Sequence, residues 1–170
     1  MRFLVIQDHK ENRRKCSLTP LEGRADVTFL RLSSPAWEPG KVEAGSGILL
    51  GVEAPPLRPE DADLLEDGAI VLLDSTWARL PKLARRIQVP AGARLEARSI
   101  PPGVVSVYPR VSKVHEDPPG GLASVEALFA ATVILGEPRL DLLTGYRWAR
   151  EFLARNGWEA LAPPVAVGVC

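Results

Sequence analysis

The chain has 170 residues, 46% of them hydrophobic and 25% charged, and its 21 basic side chains balance 21 acidic ones. These values describe one soluble globular domain, long enough to bury a core without disulfides or metal. Sixteen prolines and fourteen glycines exclude a helical bundle, because they demand many turns and irregular connections.

Residues 2–6 read as the first strand. The run is too short for a signal-peptide core and charged residues follow at once, so the expected location is cytoplasmic. A polar loop then carries Arg13-Arg14-Lys15 and Cys16-Ser17. A second strand is expected over 27–30, a Pro/Gly-rich loop over 33–47, and a third strand over 47–51. Pro59 suits the first turn of a helix ending near Leu65. A strand at 70–73 and a helix over about 78–86 come next, with Pro81 tolerated in the first turn of that helix. Extended segments are expected near 94–97 and 104–107, then a loop over 108–121. In the first closing helix Val125, Leu128, Phe129 and Thr132 fall at helical spacing. In the second, Leu142, Tyr146, Ala149 and Leu153 do the same, with Asn156-Gly157 as its C-cap. The tail 162–170 reads as extended. Strands alternating with helices give an α/β fold, one domain over 1–170 with a mainly parallel sheet.

Residues 122–135 form the longest nearly apolar stretch, interrupted by Ser124, Glu126 and Thr132 and too short to cross a bilayer, so no membrane role is expected. Cys16 and Cys170 lie at opposite ends, and neither they nor His9 and His115 show metal-ligand spacing, so no metal is expected. Cys16 reads as a small packed residue and Glu126 as a first-turn carboxylate favoured by the helix dipole. Trp148 and Trp158 read as core or subunit surface, and Tyr108 as a candidate for stacking on a base.

The zero net charge hides a local asymmetry. Residues 53–74 hold seven acidic side chains against Arg58, and residues 79–113 hold eight basic ones against Glu96. A solvated charged face accounts for this, and so does a phosphate-binding stripe for RNA. The stripe would comprise Arg79, Lys82, Arg85, Arg86, Arg110 and Lys113, joined by Arg13, Arg14 and Lys15.

The most informative stretch is 69–77, Ala-Ile-Val-Leu-Leu-Asp74-Ser75-Thr76-Trp77. A buried strand ends on a carboxylate, two hydroxyls and an indole just before a helix, the place where open α/β sheets hold ligands. An Asp beside a Trp there suits a cationic cofactor and a proton acceptor. The plainer alternative is that Asp74 caps the helix and Trp77 fills core.

Several separated motifs point one way. Asp8-His9 followed by Arg13-Arg14-Lys15-Cys16-Ser17 resembles the N-terminal signature of the ribosomal-RNA aminocarboxypropyltransferases. The segment Leu57-Arg58-Pro59-Glu60-Asp61, then Asp74-Ser75-Thr76-Trp77, resembles that family's Leu-Ser-Pro-x-Asp and Asp-Cys-Ser-Trp elements. Arg98-Ser99-Ile100-Pro101 is similar to its Arg-x-Leu-Pro, and Leu122-Ala123-Ser124-Val125-Glu126-Ala127-Leu128 to its Leu-Ser-x-Val-Glu-Ala-Leu. Tyr146-Arg147-Trp148 with Phe152 and Asn156 fits the closing helix. The order and spacing run over nearly the whole chain. Residues 105–113 depart, replacing a family segment that borders the adenine pocket, and Ser75-Thr76 stands where the family has Cys-Ser. Asp-Ser-Thr-Trp also resembles the DTW-domain tRNA transferases, whose Cys-rich metal element is missing here.

The resemblance implies a SPOUT-like fold, in which the chain can be knotted, and S-adenosylmethionine as cofactor. It implies that Ser17 contacts the amino-acid end, Leu73 the ribose, Trp77 the methyl end and Ile100 the adenine. Ala123 and Ser124 would face the carboxylate, as a helix start can. Asp74 would be the base that takes a proton from a uridine or pseudouridine nitrogen in structured RNA, ribosomal RNA being favoured over tRNA. Two rivals stay open: a SPOUT-like methyltransferase using the same cofactor, and a ribosome-assembly factor without turnover.

Overall fold

The computed structural model describes residues 1–9, 16–32, 42–51, 53–109 and 120–162. The short apolar runs build one sheet from β1 (Phe3–Gln7), β2 (Val27–Arg31), β4 (Gly47–Leu50), β5 (Ala69–Asp74) and β7 (Leu95–Arg98). Their order is β2-β1-β5-β4-β7, and every pairing is parallel. The two-residue strands β3 (Val42–Glu43) and β6 (Ile87–Gln88) pair separately, also in parallel.

Strands at the centre of a parallel sheet are covered on both faces, so they read as continuous apolar runs. Phe3, Val5, Ile70, Leu72 and Ile48 face a large cluster completed by α2 (Ser124–Ile134) and α3 (Ala149–Arg155). Ile6 and Val71 face the other way and pack with Val42, Ala44 and Leu83. That second layer consists of α1 (Leu80–Ala84) and the β3–β6 pair. At the start of β4 and β5 the backbones touch: a Cβ on Gly47 would lie 2.0 Å from the Ala69 carbonyl oxygen, and Gly47 sits at φ 136. Only glycine fits there.

The structure corrects the expected elements in five places. The helix expected over 59–65 is a 3-10 helix, and that over 78–86 shrinks to Leu80–Ala84 after a turn at 77–79. Residues 104–107 form no strand; they run as irregular chain. The Pro/Gly-rich stretch contributes β3, which is too short to show a period of its own. The second closing helix is broken into a 3-10 turn, Leu140–Leu143, and α3. The break falls at Gly145, whose φ of 78 is a left-handed conformation and whose missing Cβ makes room for Pro20. Leu142, Tyr146 and Leu153 are buried nonetheless, so the periodicity recorded burial correctly while the chain changed helix type. The Asn156-Gly157 cap forms as expected: the Trp158 N–H bonds the Leu153 carbonyl at 2.8 Å and the Gly157 N–H bonds that of Ala154 at 3.2 Å. The tail from 163 onward lies outside the described residues.

Candidate active site

Strand order locates the site. The chain leaves β1 toward β2 on one side, whereas it leaves β5 toward β7 on the other. Loops departing in opposite directions from adjacent parallel strands open a crevice at their carboxyl ends. The last pair in the β1–β5 register is Gln7 opposite Asp74. Alternation sends the side chains of Ile70, Leu72 and Asp74 to the α2 face of the sheet, and those of Val71 and Leu73 to the α1 face.

Asp74 is 5% exposed. Its Oδ1 accepts the Ser124 hydroxyl at 2.7 Å, and its Oδ2 accepts Gln7 Nε2 at 2.9 Å and the Cys16 thiol at 3.2 Å. The Gln7 amide is held in that sense because its Oε1 accepts Arg31 Nε at 3.0 Å, and a guanidinium only donates. All three donors that the described residues bring to Asp74 are neutral, so its charge is buried without a cation beside it. A carboxylate has about four acceptor positions, and the described residues fill three of them.

A second buried carboxylate stands next to it. Asp8 is 2% exposed, and its N–H donates to the Asp74 carbonyl at 2.9 Å. Its Oδ1 lies 2.7 Å from His9 Nδ1, and its Oδ2 accepts the Ser75 hydroxyl at 2.8 Å with Arg79 Nη1 at 3.5 Å. The residues of the β5 exit therefore divide between two anions: Asp74 meets α2, while Ser75 and Arg79 meet Asp8.

The start of α2 closes the crevice. Ala123 is its N-cap in extended conformation, Ser124 reaches Asp74, and the Val125 N–H donates to Ser17 Oγ at 3.3 Å. Ser17 thereby accepts from α2 and keeps its own O–H to donate. Glu126 is fully buried. Its Oε2 accepts the Ala123 N–H at 2.9 Å and the Ser106 hydroxyl at 2.5 Å; its Oε1 accepts the Val107 N–H at 3.1 Å and the Tyr146 hydroxyl at 2.8 Å. Burial first, then the bond to Glu126, pushes the Tyr146 phenol far above its ordinary range and keeps it a donor.

Of the residues singled out in the sequence, Ser17, Asp74 and Ser124 are joined directly through α2. Trp77 is half-buried in the turn before α1 and belongs to neither hydrophobic cluster of the described residues. Leu73 packs on the α1 face and Ile100 against the large core. Trp148 and Trp158 both pack on the large core, and Tyr108 packs edge-on against Trp148, with ring centroids 5.2 Å apart.

Among the cations, Lys82 and Arg85 are exposed, Arg86 is half-buried, and Arg79 reaches Asp8. The eight-residue basic run is thinner than its charge count suggests. Arg94 pairs with Glu96 at 3.1 Å, and Arg98 with Asp61 at 2.9 Å and Glu96 at 3.5 Å. Arg13, Arg14, Lys15, Arg110 and Lys113 lie outside the described residues.

Sequence reasoning gave no role to Gln7, left Asp8 as a signature residue, and took Cys16 and Glu126 as local structure. The usable signal was the polar pair Gln7-Asp8 ending an apolar strand, as Asp74 ends another. No helix of the described residues is long and apolar enough to cross a membrane, and no group of three or more potential metal ligands occurs among them. No family model matches the chain, and a search of curated proteins finds no match. Among solved structures, the fold is similar to that of the SAM-dependent rRNA:acp-transferase Tsr3 from Vulcanisaeta distributa, with a TM-score of 0.65 over 92% of this chain and 79% of that one. At 20% identity, that likeness establishes a shared α/β fold.

Proposed function

We propose that this protein transfers the 3-amino-3-carboxypropyl group of S-adenosylmethionine to an imino nitrogen of a uridine or pseudouridine in structured RNA, with small-subunit ribosomal RNA as the substrate. The observation that carries this reading is Asp74: a buried carboxylate that meets only neutral donors among the described residues, at the switch point of a fold shared with an SAM-dependent rRNA:acp-transferase. A buried negative site that meets no cation among the described residues suits a cationic ligand. The ordered motifs of the sequence support the same reading, together with its SPOUT-like class and a cytoplasmic location.

The residues present fit such a cofactor. Ser17 has an O–H left to donate, and the first turn of α2 offers backbone N–H groups to a carboxylate. Trp77 presents a half-buried ring outside the core, suited to contact a sulfonium through its face. Leu73, Ile100 and Ala123 complete the set by resemblance. When bound, S-adenosylmethionine would supply an activated carbon, which passes to the nitrogen as its bond to sulfur breaks and the neutral thioether leaves. Asp74, held in place by Gln7, Cys16 and Ser124, would take the imino proton. Fixing nitrogen and carbon in line lowers the entropic part of the barrier. Arg79, Lys82, Arg85 and Arg86 hold the RNA backbone, joined by Arg13, Arg14, Lys15, Arg110 and Lys113.

The test is isotope transfer. The protein is incubated with ribosomal and transfer RNA from its source cell and with cofactor labelled at either the carboxyl or the methyl carbon. Carboxyl label in ribosomal RNA is the expected result. Methyl label would make the protein a methyltransferase, and no label from either carbon would leave a fold without turnover.

A further inference from the structure

We infer that Glu126 is a positioning residue that sets the cofactor end of the site by tying the start of α2 to the chain that follows β7; this rests on the S-adenosylmethionine reading above. Its four donors come from three separate parts of the chain: Ser106 and Val107, Ala123, and Tyr146. One oxygen, Oε2, takes both the Ser106 hydroxyl and the Ala123 N–H, so residues that flank the stretch 107–122 meet on a single atom.

Helix capping alone does not account for this arrangement. A carboxylate at the third position of a helix needs only the N-cap N–H and works in full contact with water. Glu126 is fully buried, and burying a charge is costly unless hydrogen bonds offset the lost hydration. Four neutral donors do so here, and three of them have nothing to do with the cap.

The consequence falls on the site. Ala123 and Ser124 open α2, Ser124 holds Asp74, and the Val125 N–H meets Ser17. These contacts place the groups assigned to the cofactor's carboxylate, and they hold only while the first turn of α2 keeps its position. The segment after β7 has anchors of its own on either side. Asn156 bonds both the N–H and the carbonyl of Val105, at 2.8 and 3.0 Å, and Tyr108 packs on Tyr146 and Trp148. Loss of the carboxylate therefore frees Ser106, Val107 and Ala123 from one another while these anchors remain, and it also takes the acceptor from the buried Tyr146 hydroxyl.

The isosteric change Glu126→Gln keeps the shape and spoils the bonding, because an amide has one acceptor oxygen and its NH₂ would face donors. The full chain is examined by titration calorimetry with S-adenosylmethionine and by amide exchange. Expected are a dissociation constant raised at least about tenfold and exchange at the Val107 and Ala123 N–H groups faster by about tenfold or more, with β1 and β5 unchanged. In turnover the loss falls on KM for the cofactor, with kcat within about threefold of wild type, since Glu126 touches no reacting atom. Ser106→Ala removes one donor to Glu126 and the acceptor of the Tyr108 N–H at 3.1 Å, and serves if Glu126→Gln does not fold; it is expected to raise the constant about two- to fivefold. A lower thermal midpoint with cofactor affinity unchanged, in either variant, overturns the positioning role and leaves a structural one. Failure of the wild type to bind S-adenosylmethionine overturns the functional reading instead. In that case unaltered exchange at Val107 and Ala123 in the variants also refutes the clamp.

Discussion

Replacing Asp74 by Asn isolates the charge at the centre of the site. The orientation of the new amide is dictated by its neighbours. Gln7 must present its NH₂, because its oxygen is committed to Arg31 at 3.0 Å, so the Asp74→Asn oxygen turns toward Gln7 and Cys16. The amide nitrogen then faces Ser124 Oγ, at the position now 2.7 Å from Asp74 Oδ1, and that hydroxyl turns from donor to acceptor. Every hydrogen bond is retained in some form, so stability is expected to stay within about 1 kcal/mol of wild type. Ligand binding should change far more. A unit-charge pair about 6 Å apart at an effective dielectric near 20 interacts by roughly 3 kcal/mol. S-adenosylmethionine should therefore bind roughly a hundredfold more weakly. S-adenosylhomocysteine, neutral at sulfur, should change by less than about threefold, because it has no such charge to lose. Calorimetry with both ligands on both proteins, alongside urea unfolding, makes the measurement. Equal losses for the two ligands, or none for either, would refute the claim that Asp74 balances a cation.

Trp77→Ala should weaken S-adenosylmethionine at least about tenfold, or 1.4 kcal/mol, and equal affinity in calorimetry would return Trp77 to a packing role. Replacing Arg85 and Arg86 together by Ala should weaken RNA binding and flatten its salt dependence by about one to two in log–log slope, with cofactor affinity unchanged. Asp26 tests the ion cluster that joins the turn before β2 to the 3-10 turn before α3. A hydrogen bond from Arg24 first, against opposing burial, and then one from Arg139, lower its carboxyl from 3.8 to about 2. Because the folded value is the lower one, the stabilisation is complete above about pH 4 and is lost as pH falls through about 2. With a quarter of that side chain exposed to screening solvent, the contribution is about 1 kcal/mol. Asp26→Asn should be less stable than wild type by that amount at pH 6, with the difference shrinking as pH falls through about 2 and vanishing below it; a difference independent of pH would refute the assignment.

Local features were legible in short runs of adjacent residues. Apolar runs such as 69–73 announced strands buried on both faces, and Asn156-Gly157 announced a helix end, because burial periodicity and left-handed caps are written in adjacent residues. The sequence also carried the motifs that single out Asp74, Trp77 and Ser124. Features that depend on which strand lies beside which arise only in the packed fold. Nothing local places β4 and β7 beyond β5 instead of next to β1, yet that order creates the crevice where Asp8 and Asp74 meet. Gln7 became a donor to Asp74 only through the β1–β5 register and the reach of Arg31. Glu126 read as a helix-dipole residue because its Ala123 bond is a neighbour contact. Its bonds to Ser106, Val107 and Tyr146 span about twenty residues of chain and exist only once three segments are packed. Gly145 broke an otherwise consistent helical period because left-handed backbone and contact with Pro20 suited the packed core better than one more turn. Local preference settles at the scale of a few residues, whereas a buried charge is satisfied by whatever donors the completed fold delivers to it.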